Sequence, residues 1–134
     1  MVEGLSHLTF IAADLDRMEA ILTGILGARR IYDSDRAEFS LSPERFYDLA
    51  GLWIAVMQGD PLPTRSYNHV AFRIADADYD DYLTRIRDQG LDLREGRPRV
   101  VGEGRSIYFH DHDNHLFELH SGTLQERLAR YRQG

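Results

Sequence analysis

Two short runs of this chain nearly coincide: Ser6-His7-Leu8-Thr9-Phe10 and Asn68-His69-Val70-Ala71-Phe72. Each is followed by an acidic turn, a helical pattern and a glycine. His7 and His69 therefore hold the same place in two copies of one structural unit. Imidazoles related by such a repeat can converge at a pseudo-symmetry axis, and two convergent imidazoles begin a metal site. Glu118 is the third candidate ligand, in the final strand pattern at the parity of Leu116 and His120. Aligning Gly122 with Gly59 sets Ala55 at the matching place in the first copy. The repeat thus offers two histidines and one carboxylate. That set suits Mn, Fe, Co, Ni or Zn, and three protein ligands leave open positions for water or substrate, as in catalytic sites. His120 is the alternative ligand. His110, His112 and His115 fall around a turn and read as an exposed loop rather than a second site. Taken singly, a strand histidine or glutamate is an ordinary polar residue; the symmetric pair with a third ligand is what points to chemistry.

The elements that must position these residues follow from periodicity. Residues 5–12 read as a strand with His7 and Thr9 on one face. Asp14 is a helix N-cap, Leu15, Met18, Leu22, Ile25 and Leu26 keep helical spacing, and Gly27 ends the helix. Residues 29–34 and 38–42 read as strands, and 52–58 as an apolar strand carrying Trp53. Pro61 and Pro63 mark a linker over 59–66. The plan then repeats, with strands at 66–74, 91–94, 106–110 and 115–120, a helix at 76–89 ending on Gly90, and a turn at 111–114. Thr123 and Glu126 have capping-box spacing and open a last helix. The expectation is an α+β domain spanning residues 1–134. It has two βαβββ modules, about 1–60 and 66–122, whose sheets curve around a cavity, and a C-terminal helix at 123–132. Ser42, Pro43 and Glu44 have the order of a helix start, with Glu44 in its first turn.

Composition narrows the class. The chain has 134 residues, 43% hydrophobic and 28% charged, as expected of one globular domain. A net charge of -6 argues against nucleic acid as a partner. With no cysteine, thiolate metal sites, disulfides and cysteine nucleophiles are excluded. No apolar run approaches the roughly 20 residues of a membrane span, and the N-terminus lacks signal-peptide character, so the expected location is the cytoplasm.

These residues resemble the vicinal oxygen chelate superfamily, and within it the fosfomycin resistance proteins, in the branch of fosfomycin epoxide hydrolases. The text that carries the resemblance includes Gly4-Leu5-Ser6-His7, Phe39-Ser40-Leu41-Ser42, Met57-Gln58-Gly59, Arg65-Ser66-Tyr67-Asn68-His69, Gly102 through Phe109, and Thr123 to Tyr131. It implies Mn(II) held by His7, His69 and Glu118. Glu44 would be the general base, and Thr9, Trp53, Ser106, Tyr108 and Arg127 would contact the substrate. It further implies fosfomycin as substrate and a domain-swapped homodimer whose two chains complete each metal site. The thiol-transferase branch carries a lysine and a serine where this chain has Pro98 and Gly102. The resemblance therefore implies neither potassium nor a thiol as a requirement. Thiol addition to fosfomycin and drug binding without turnover are the alternatives. Arg94, Arg97, Arg99 and Arg105 add local positive charge for an anionic substrate, though most such charges are ordinary solvated surface.

Overall fold

The computed structural model describes residues 1–35, 41–94 and 97–134. The chain divides into two compact units, Met1–Pro63 and Thr64–Gly134. Each contains one βαβββ module and one four-stranded sheet.

In the first unit β1 (His7–Ala12) leads to α1 (Leu15–Gly24), then β2 (Arg29–Asp33), β3 (Glu44–Leu49) and β4 (Leu52–Gln58). The sheet order is β1-β4-β3-β2, with β1 and β4 parallel and the rest antiparallel. Asp14 caps α1 by accepting from the Arg17 backbone N–H at 3.1 Å, as its position before an apolar-periodic run requires. Gly27 takes φ +78°, the left-handed geometry that ends the helix cheaply only at glycine. Met18, Ile21 and Leu22 of α1 are buried, as are Phe10, Ala12, Ile54 and Val56 on one face of the sheet. Arg45 and Tyr47 of β3 point to that same face. They are accommodated by ion pairing and hydrogen bonding: Tyr47 donates to Glu19 at 2.8 Å and Arg45 to Asp16 at 2.7 Å.

The expected strand over 38–42 lies largely on residues 36–40, outside the described residues, and Leu41 and Ser42 are not in a strand. Its place in the topology is taken by β3. This also corrects the helix-start reading of Ser42-Pro43-Glu44. Glu44 begins a strand, because its backbone joins the ladder opposite Met57 while Pro43 accepts from Gln58 at 2.8 Å.

The second unit runs β5 (His69–Arg73), a short 3₁₀ turn, α2 (Tyr79–Asp88), β6 (Asp92–Arg94), β7 (Ser106–His110), β8 (Leu116–His120) and α3 (Leu124–Tyr131). Its order, β5-β8-β7-β6, repeats that of the first sheet. Ile86 of α2 is buried, and Phe109 and Phe117 stack with centroids 5.5 Å apart behind the sheet. Thr123 caps α3, its hydroxyl accepting from the Glu126 N–H at 3.1 Å. Among the described residues no helix is long and apolar enough to cross a membrane.

One close approach in this unit is set by two glycines. A Cβ on Gly104, where φ is +79°, would lie 2.5 Å from the Gly122 nitrogen. A Cβ on Gly122 would lie 2.5 Å from the Glu103 carbonyl and 2.8 Å from His120 Nε2. Gly104→Ala combines backbone strain with overpacking and is expected to destabilise the fold by about 1–3 kcal/mol, read as a lower thermal midpoint.

Candidate metal centre

Strand register decides which side chains share a face. In the second sheet Ala71 pairs with Glu118 and Glu118 with Tyr108, while His69 pairs with Leu116 and Ser106 with His120. His69, Glu118, Ser106, Tyr108 and His120 therefore all stand on one face, opposite the Phe109–Phe117 stack. In the first sheet Thr9 pairs with Ala55, so Ala55 occupies the position that Glu118 holds in the second. The alignment of Ala55 with Glu118 expected from Gly59 and Gly122 is the one the strand registers give.

His69 and Glu118 meet. His69 Nε2 lies 3.0 Å from Glu118 Oε1, and its Nδ1 lies 2.7 Å from the Tyr67 carbonyl. A carbonyl only accepts, so Nδ1 carries the proton and Nε2 faces the carboxylate. A proton or a cation between Nε2 and Oε1 satisfies both. Two atoms each about 2.1 Å from one divalent ion, at right angles, stand about 3.0 Å apart. The pair thus fits two adjacent ligands of one ion, with the histidine's outer nitrogen already tied to a backbone acceptor as metal-binding imidazoles require.

The second carboxylate oxygen is occupied from the other side. Arg127 Nη2 lies 3.3 Å from His120 Nε2. A guanidinium only donates, so Nε2 accepts and the neutral ring carries its proton on Nδ1. Nδ1 donates to Ser106 Oγ at 2.7 Å, and Ser106 keeps its own hydrogen for Glu118 Oε2 at 2.6 Å. The donors run one way, from Arg127 through His120 and Ser106 to Glu118. His120 is consequently engaged at both nitrogens, Nε2 by Arg127 and Nδ1 by Ser106. Burial pushes the His120 imidazolium down, and Arg127 and Arg99 act in the same sense against the pull of Glu118, which keeps the ring neutral. For Glu118, burial favours the neutral acid. The hydrogen bonds from Ser106 and Tyr108 outweigh it, with the neighbouring His120 and His69 rings acting in the same sense, and hold the carboxyl below the usual range. Burial pushes the Tyr108 hydroxyl up, with the Tyr67 hydrogen bond and the nearby Glu118 charge adding to it, so Tyr108 remains a donor.

These groups border a cavity of about 360 Å³, with His69, Glu118, His120, Gly122 and Arg127 in its walls. Among the described residues no group of three or more His, Asp or Glu side chains stands in ligating geometry. The second unit brings two of the three candidate ligands, His69 and Glu118, within reach of one another. His7 belongs to the first unit, where it is exposed and stacked on Trp53 with centroids 4.1 Å apart, its Nδ1 2.9 Å from Ser6 Oγ. Phe46 meets the same indole edge-on at 5.2 Å. By register Trp53 pairs with His7, Ala55 with both Thr9 and Phe46, and Met57 with Glu44. His7, Thr9, Trp53 and Glu44 thus share the face of the first sheet turned away from α1. Glu44 is buried, and its backbone N–H is fixed by Ser34 Oγ at 3.0 Å.

The turn histidines do not act together. His115 pairs with Asp111 at 2.7 Å, His112 is exposed, and His110 is buried rather than exposed as expected, at the end of β7. Arg99 is not a solvated surface charge; it contacts Ser106, Tyr108 and Glu118. Its partner Glu103, four residues on, is the one sequence signal that could have marked it.

A fold of paired βαβββ modules with a His–Glu pair on the second module's sheet defines a class, and comparison with known proteins agrees. The chain belongs to the Glyoxalase/Bleomycin resistance protein/Dioxygenase superfamily, whose model matches residues 4–119. It is 60% identical over 134 residues to the fosfomycin resistance protein FosX of Mesorhizobium japonicum, covering all of this chain and 96% of that one. It is similar in structure to a variant of FosX from Listeria monocytogenes complexed with Mn(II) and 1S,2S-dihydroxypropylphosphonic acid. There the TM-score is 0.89 and the identity 52%, over 98% of this chain and 99% of the other. Similarity extends, at 33% identity over 99% of this chain and 86% of the relative, to the metallothiol transferase FosB of Staphylococcus saprophyticus.

Proposed function

We propose that this chain is a Mn(II)-dependent hydrolase that adds water to the epoxide of fosfomycin and so confers resistance. The observation that carries the reading is the His69–Glu118 pair, with the imidazole tautomer fixed by Tyr67 and one carboxylate oxygen left facing it. His69 and Glu118 would hold the ion, with His7 as third ligand, supplied by this chain or by the second chain of a homodimer. When bound, the metal supplies Lewis-acid stabilisation of negative charge on the epoxide oxygen and an anchor for the phosphonate.

The remaining work falls to side chains. Glu44 takes a proton from water as that water forms a bond to the carbon bearing phosphorus. The bond from that carbon to the ring oxygen breaks, its electron pair stays on the epoxide oxygen, and that oxygen takes a proton from solvent while Glu44 returns its own to solvent, leaving a diol. Tyr108 donates a hydrogen bond to a substrate oxygen, Thr9 and Ser106 offer hydroxyls, and Arg127 supplies positive charge for the phosphonate. Trp53 forms an apolar wall for the small carbon skeleton. The higher identity to FosX than to FosB and the presence of Glu44 favour water over a thiol as nucleophile.

The test is product analysis. Protein, Mn(II) and fosfomycin are incubated with and without a thiol, and the phosphorus species are resolved by NMR. A diol formed without thiol is the expected result. Consumption of fosfomycin only after thiol addition would establish the transferase alternative. Drug bound and released intact would establish sequestration.

A further inference from the structure

Arg99 lies between β6 and β7, with its side chain 15% exposed. One nitrogen, Nη2, stands 3.0 Å from Ser106 Oγ, 3.0 Å from Tyr108 Oη and 3.4 Å from Glu118 Oε2. The other terminal nitrogen, Nη1, stands 3.5 Å from the buried Glu103 carboxylate, which lies 2.9 Å from Arg97. Arg97 in turn donates to Tyr131 of α3 at 3.0 Å. The guanidinium is thus fastened from behind and delivered to one oxygen of Glu118. Its Nε is buried without a hydrogen-bond acceptor, and its Nη1 has only the 3.5 Å ion pair with Glu103. A buried cation so incompletely satisfied is a poor source of stability, which points to service at the site rather than to folding.

A carboxylate with both oxygens free can close on a cation with both of them and take two coordination positions. One whose second oxygen is tied offers a single ligand. Ser106 is neutral and must also accept from His120, so Arg99 is the full positive charge holding Oε2. We propose that Arg99 is a positioning residue that limits Glu118 to one ligating oxygen and so keeps a coordination position open for substrate. This rests on the reading of Glu118 as a metal ligand.

The experiment compares the wild-type protein with Arg99→Gln and Arg99→Lys, each loaded with Mn(II). Metal affinity is measured by calorimetry, open positions by water-proton relaxation enhancement, and kcat and KM with fosfomycin. Arg99→Gln is expected to bind Mn(II) at least as tightly as wild type, because a competing cation is gone. Its relaxation enhancement should fall by the share of about one exchangeable water, and KM should rise roughly 10- to 100-fold, the range for loss of an outer-shell partner. Arg99→Lys, which keeps the charge, should recover most of both. Wild-type relaxation and KM in Arg99→Gln would overturn the proposal, as would loss of Mn(II) affinity in that variant. Failure of the wild type to bind Mn(II) would instead overturn the reading of Glu118, and this inference with it.

Discussion

Glu44→Gln is expected to lower the rate of fosfomycin hydration by about 10²–10⁴-fold, the usual contribution of a general base, while Mn(II) still binds with wild-type affinity. The substitution is nearly isosteric, so it tests the proton acceptor and not the packing. Glu44 stands at the first position of β3, its backbone paired opposite Met57 and held by Ser34. That ladder places it on the face of the first sheet that carries His7, Thr9 and Trp53, away from the α1 core. A carboxylate committed to a helix start would have made the substitution nearly silent; the strand removes that explanation. Diol formation at the wild-type rate by Glu44→Gln would take Glu44 out of the mechanism.

The second large effect is at Glu118. Glu118→Gln preserves volume and the contact with Ser106 but removes the negative charge that faces His69. Loss of an outer-shell partner typically costs 10–100-fold in metal affinity or activity, so loss of a ligand charge should weaken Mn(II) binding by more than about 100-fold. Hydration should fall to background. Calorimetric titration reads the affinity directly. Thermal unfolding gives a second reading, since a metal at 100 times its Kd stabilises the native state by about 2.7 kcal/mol. That Mn(II)-dependent rise in midpoint should be present in the wild type and absent in Glu118→Gln. An unaltered titration curve in the variant would show that the metal is held elsewhere.

The repeat made much of this legible. His7 and His69 share a position because two near-identical strands open two modules, and period-two alternation sets Glu118 at the parity of Leu116 and His120; that this is also the face of His69 follows from the register of β5 on β8. Strands 52–58 and 106–110 and the caps at Asp14 and Thr123 were readable because local chemistry specifies them. β3 was not. Its inward positions are Arg45 and Tyr47, so the apolar alternation that marks a strand is missing. Asp16 and Glu19 of α1 supply the partners that make a polar inward face tolerable, and that is tertiary information.

The contacts of Arg99 were not legible for a related reason. They lie seven, nine and nineteen residues away, on β7 and β8. The direction of the hydrogen bonds was likewise hidden. Only the placement of Arg127 against His120 shows that Ser106 spends its hydrogen on Glu118.

The most direct check is an anomalous diffraction map from crystals grown with Mn(II). A single strong peak should appear between His69 Nε2 and Glu118 Oε1, about 2.1 Å from each, with His7 of one chain or the other closing the set. A map with no peak at that pair, in crystals that hold manganese at some other place, would contradict the account.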